Sequence, residues 1–137
     1  MNKITQPIFI FLLACLFTLA IVSPVQAEVI VCPSNQAAKI PDRLKAKLFD
    51  TAVNTGHNRA NRILQQSINT LNPHARLKVD GALGPQSKKA LCGLSEAALL
   101  KVYVQKQSAF YRGIVARKPS QQRFIKGWLR RAAWLPQ

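Results

Sequence analysis

Beyond Pro41, apolar residues recur every three or four positions along most of the chain, the period of helices that each bury one face. Leu44, Leu48 and Ala52, with Phe49 and Val53 beside them, make the first such stripe. Pro41 and Asp42 suit the opening turn of the helix that carries it. Asn54-Thr55-Gly56 closes that helix, with Gly56 expected as a left-handed cap. A second stripe, Ala60, Leu64, Ile68 and Leu71 with Ile63 alongside, predicts a helix over 58–71 that Asn72-Pro73 stops. Residues 74–79 are short and polar. Asp80-Gly81-Ala82-Leu83-Gly84-Pro85 then places two glycines and a proline in six residues, a tight turn in which both glycines are expected to take conformations that other residues avoid. Pro85 opens a short helix through Ser87 to Leu91, ended by Gly93. Ser95 is a good N-cap for the longest helix, about 96–117, whose apolar side is Leu99, Val102, Tyr103, Phe110 and Ile114. Lys118-Pro119-Ser120 breaks the chain before a last helix over 121–134. No segment reads as a convincing strand, so the pattern predicts an all-α fold, a small domain of about five helices.

The first residues carry a different pattern. Lys3 precedes an apolar run from Ile8 to Val22, then Ser23-Pro24, then Val25-Gln26-Ala27. This is the layout of a secretory signal over 1–27, cut after Ala27. The run is shorter than the roughly 20 residues of a spanning helix. It predicts a secreted or periplasmic protein, with an inner-membrane anchor at 8–22 as the alternative. Residues 28–40 form an N-terminal arm, with a short extended start at Val29 to Val31, ahead of the helical domain at 41–137.

Charge and cysteines fit that compartment. The chain has 20 Lys+Arg against 5 Asp+Glu, a net +15. A cationic exported protein meets anionic envelope polymers rather than nucleic acid. Cys15 leaves with the signal, and Cys32 and Cys92 remain as an even pair that an oxidising compartment allows to join; two free buried thiols are the alternative. Two cysteines and two histidines without close spacing make no zinc site, so neither a metal nor another cofactor is expected.

Carboxylates are scarce. Asp42 and Glu96 read as helix-start charges, and Asp80 as a turn residue whose side chain accepts backbone N–H groups. Asp50 lies one turn before Asn54 on the same helix face, either orienting the helix end or facing a ligand. His57 reads as a helix-end residue. Trp128 beside Gly127 suits either a core position or stacking on a sugar ring, with Arg131 three residues on placed to meet a carboxylate.

Three ordered segments carry a family resemblance. They are Leu48 to Gly56 followed by Ala60 and Leu64-Gln65-Gln66; Val79 to Ser87 leading to Ala90-Leu91; and Phe110-Tyr111-Arg112 with Phe124 to Arg131. Together, over about 40–134, they resemble the C-terminal, predicted peptidoglycan-binding part of the glycoside hydrolase 108 family, phage and bacterial N-acetylmuramidases. The resemblance implies the C-terminal half of a lysozyme-like fold and peptidoglycan as partner. It implies substrate contacts at Asp50, Asn54, Gly56, Gln65, Asp80, Gly81, Gly84 and Pro85, to which Trp128 and Arg131 are added. That family's catalytic glutamate sits in a Glu-Gly-Gly motif ahead of the matched part. No Glu-Gly-Gly occurs in this sequence, so no catalytic residue carries over. The expectation is a non-catalytic peptidoglycan-binding protein of the bacterial envelope. The alternatives are a muramidase, either shortened and using Asp50 or completed by a partner chain that supplies the catalytic segment, and a cationic envelope interaction protein or inhibitor of a lytic enzyme.

Overall fold

The computed structural model describes Ile30, Cys32 and residues 39–137. The signal at 1–27 and most of the 28–40 arm, including Val29 and Val31 of its extended start, lie outside the described residues.

Among the described residues there are five α-helices and no strand: α1 (Asp42–Thr55), α2 (His57–Leu71), α3 (Pro85–Ala90), α4 (Glu96–Arg117) and α5 (Ile125–Ala133). Short 3-10 helices at Pro73–Ala75 and Pro119–Phe124 precede the turn segment and α5. The second of these occupies the start of what periodicity read as one helix over 121–134.

α2 is the central element, packed between α1 and α4. Its Ile63, Leu64 and Ile68 meet Leu44 of α1, Leu99, Leu100 and Tyr103 of α4, and Leu91 just past α3 in one core. The Tyr103 hydroxyl donates to the Ala60 carbonyl at 3.2 Å, which satisfies a polar atom in an otherwise apolar interior.

Gly56 alone makes the corner between α1 and α2. Its N–H ends α1 on the Ala52 carbonyl and its own carbonyl accepts the Ala60 N–H to start α2. Its φ is +81° but its ψ is 149°, so it takes a conformation open to glycine other than the left-handed cap expected of it. Ser95 caps α4 as expected, accepting the Ala98 N–H. Glu96 does more than complement a helix start. It is buried and accepts the Leu44 N–H at 3.3 Å, so α4 supplies the side-chain cap that α1, preceded by Pro41, does not make for itself.

The α1 stripe is corrected. Leu44 faces inward, but the other buried α1 positions are Lys47 and Thr51, whereas Phe49 and Val53 are 73% and 64% exposed. The buried side of α1 also meets the far end of the chain. Lys47 Nζ donates to the carbonyls of Ala132 (2.7 Å) and Trp134 (2.8 Å), and Arg43 Nε to that of Pro136 (3.0 Å).

Cys32 and Cys92 form a disulfide with Cα atoms 5.6 Å apart. Next to it, Ile30 is buried in the core and exchanges backbone hydrogen bonds with Gly93 and Leu94.

Candidate functional site

One face of α2 builds a loop into a wall. Asn58, Asn61, Gln65 and Asn69 stand three, four and four residues apart, so their side chains share a face. Asn58 and Asn61 donate to the carbonyls of Asp80 (3.2 Å) and Gly81 (2.9 Å). Gln65, buried, accepts the Gly81 N–H at 2.8 Å and donates to Asp80 Oδ1 and the Ala82 carbonyl, both at 2.9 Å. Asn69 holds Leu77 from both sides, accepting its N–H and donating to its carbonyl at 2.8 Å. The resemblance pointed only to Gln65. The 3-4-4 spacing of amides along α2 was present in the sequence and marks the other three.

Asp80 is committed inward. Its Oδ1 accepts from Gln65 and from the Ala82 N–H, and the Gln65 bond foremost holds its carboxyl below the usual range. That stabilisation is complete above the ordinary carboxylate range and is lost as pH falls through the lowered value. Gly81 is required twice over. Its φ is +85°, and a Cβ would come within 2.9 Å of the Asn58 carbonyl oxygen. Gly84 corrects the expectation for the turn's second glycine. At φ −79° and ψ −174° it is extended backbone that any residue adopts, and a Cβ there would meet nothing within 4 Å.

Beside this wall lies a cleft of about 490 Å³, lined among others by Gln65, Leu77, Lys78, Asp80, Gly84 and Gln86, with Pro85 at its edge. A second cleft of about 420 Å³ shares Leu77 and Gln86 with it and adds Asn72, His74 and Lys89. The two form one groove between the loop after α2 and helix α3. Gln65→Leu is expected to destabilise the domain by about 2 kcal/mol, because the buried Gly81 N–H loses its acceptor. Urea denaturation measures it, and an unchanged midpoint would mean the turn holds without α2.

The remaining predicted residues sit elsewhere. Arg131 of α5 places both Nε (3.1 Å) and Nη2 (2.8 Å) on Asp50 Oδ1 across 81 residues of sequence. Asp50 Oδ2 is buried without a partner among the described residues, so neither oxygen stands open to a substrate. The Asn54 amide donates to the Asp50 backbone carbonyl, a bond within α1. Trp128 is half-buried and stacks between Tyr111 (5.4 Å) and Phe124 (5.8 Å). Asp50, Asn54, Gly56, Trp128 and Arg131 line neither cleft.

Among the described residues no group of histidine, cysteine, aspartate and glutamate could hold a metal ion, and no helix is long and apolar enough to cross a membrane.

Five helices around one core, with a groove beside a polar helix face, define a small all-helical domain. The family described as predicted peptidoglycan domain matches residues 59–133, more than half of the chain, and the chain belongs to that family. The match runs from the start of α2 to the end of α5 and contains the whole groove. No curated protein and no solved structure matches it.

Proposed function

We propose that this protein binds peptidoglycan outside the cytoplasm, without cleaving it, in the groove beside the Asp80–Pro85 turn. The observation that carries the reading is Gly84. The fold needs no glycine there, since its backbone is ordinary and the space around it is open. Gly84 lies on the lining of the groove, inside the segment that the family matches. A glycine that folding does not require, on the wall of a cleft, keeps that wall low for a ligand.

The non-catalytic part rests on the carboxylates. General-acid hydrolysis of a glycoside needs a carboxyl group offered to the leaving oxygen. Among the described residues Asp42 pairs with Lys45, Asp50 with Arg131, Asp80 with its own turn, and Glu96 caps α1. The resemblance to the C-terminal part of glycoside hydrolase 108 muramidases, without a Glu-Gly-Gly, agrees with a retained binding part. The Cys32–Cys92 disulfide supports an oxidising compartment.

Co-sedimentation with insoluble peptidoglycan tests the reading. Wild-type protein is expected in the pellet at low salt and Gly84→Val in the supernatant, both with the same thermal midpoint. Wild-type protein that stays in solution at low salt, or a clearing band in a peptidoglycan gel, would refute it.

A further inference from the structure

The two ends of the groove differ in chemistry. The end at Gly84 carries one carboxylate, Asp80, whose Oδ1 is already used by Gln65 and Ala82. Lys78 lines that same first cleft, close enough to Asp80 to favour its carboxylate, whereas the second cleft has Lys89 and His74 on its lining and no carboxylate. Neither lysine has an acidic partner within 4 Å among the described residues, where the ion pairs are Lys45–Asp42 and Arg131–Asp50. Between the lining residues Ala75 and Leu77 stands Arg76, exposed, with φ 43° and ψ 42°. It is the one non-glycine residue with positive φ among those described. A left-handed arginine costs on the order of 1 kcal/mol or more relative to glycine, and such strain persists only where the surroundings impose it. Here Asn69 imposes it, by fixing Leu77 through both backbone groups. The strained position thus carries an exposed guanidinium, next in sequence to two lining residues though not itself on either lining, where glycine would fold more easily.

We propose that this end of the groove binds the free carboxylates of the peptidoglycan stem peptide, with Arg76, Lys78 and Lys89 as the cationic donors. The proposal rests on the peptidoglycan reading above and specifies which part of the polymer is recognised. The sugar backbone bearing intact stems is uncharged, whereas the stem peptides carry carboxylates. Unpaired cations on a pre-formed wall match the second chemistry: charge-assisted bonds to carboxylate are stronger than neutral ones, and a bidentate guanidinium adds orientation. The groove would therefore distinguish strands that carry free stem carboxylates from neutral glycan.

The test is competition against wild-type protein sedimented on insoluble peptidoglycan. The probes are a soluble stem tetrapeptide, the same peptide with its carboxylates amidated, and neutral N-acetylglucosamine tetramer. The free tetrapeptide is expected to release the protein and the other two to leave it bound. Arg76→Gly and Lys89→Gln are each expected to weaken binding roughly tenfold, the loss of one charge-assisted contact. Arg76→Gly should do so with a thermal midpoint equal to or above wild type, because glycine accepts the left-handed backbone. Wild-type protein that sediments but is released by the sugar tetramer and not by the peptide would overturn the stem-peptide assignment and leave peptidoglycan binding standing. Unchanged binding by both variants would overturn it in the same way. Wild-type protein that fails to sediment would remove the peptidoglycan reading itself.

Discussion

Replacing Lys47 with methionine is expected to cost the domain about 3 kcal/mol, a large share of what a domain this size holds in reserve. The side chain is fully buried, and its ammonium takes the carbonyls of Ala132 and Trp134, with that of Arg131 at 3.5 Å. α5 is only nine residues long, and its last carbonyls have no partners within the helix. Methionine keeps the length of the stem and removes every donor, leaving buried acceptors unpaired. The tail at Leu135 and Pro136, which packs beneath α1, should loosen with it.

The same residue sets a pH dependence. Burial pushes the Lys47 ammonium down to about 8, against a smaller opposing pull from the Asp50 carboxylate. The unfolded lysine keeps its proton to about 10.5. Between these values the unfolded chain binds more protons than the folded one, so stability rises with pH above about 8. Near pH 10 the trend turns. Burial raises the Tyr103 phenol above its ordinary 10.0, the folded state then retains a proton that the unfolded chain gives up, and stability falls. Wild-type urea midpoints should therefore climb from pH 8 toward 10, and Lys47→Met should show no climb. An equal slope in the two proteins would place the titrating group elsewhere.

Lys47 also shows where sequence reading stops. Its position on α1 is plain, but its partners lie 84 to 87 residues away, and no local pattern announces them. Asp50 and Arg131 are the same case. Periodicity found the α1 helix because Leu44, Leu48, Phe49, Ala52 and Val53 are all apolar. It could not say which sector a neighbour would cover, and α2 together with the tail covers the sector of Leu44, Lys47 and Thr51. Local signals fared better where the physics is local. Pro85 opens α3, Ser95 caps α4, and the crowded turn at Asp80 is read from its own glycines and proline. In the groove, the Asp80 turn stood out in the sequence. The amide stripe on α2 that holds it was equally visible but polar, and a search for buried apolar faces passes over it. Arg76 gave no signal, because arginine is not a residue that marks a left-handed position.

Opening the Cys32–Cys92 bond should rival the loss of Lys47 in size. The bridge closes a loop with a sequence separation of 60, which in the chain-entropy treatment corresponds to about 4 kcal/mol of stability. The native state feels it at one place. Cys92 lies two residues beyond the end of α3, whose Gln86 and Lys89 line the groove, and Cys32 lies two residues from Ile30 in the core. With the bond open, Ile30 is held by its burial and by the backbone bonds to Gly93 and Leu94 alone. The Cys32→Ser, Cys92→Ser double variant, or reduction of the wild type, is thus expected to lower the urea midpoint strongly. Binding should weaken less than stability, because the α2 amides that hold the opposite wall of the groove do not touch the arm. Equal stability of the oxidised and reduced proteins would show that Ile30 secures the arm without the bond. Binding lost in step with stability would mean that α3 depends on the disulfide for its place.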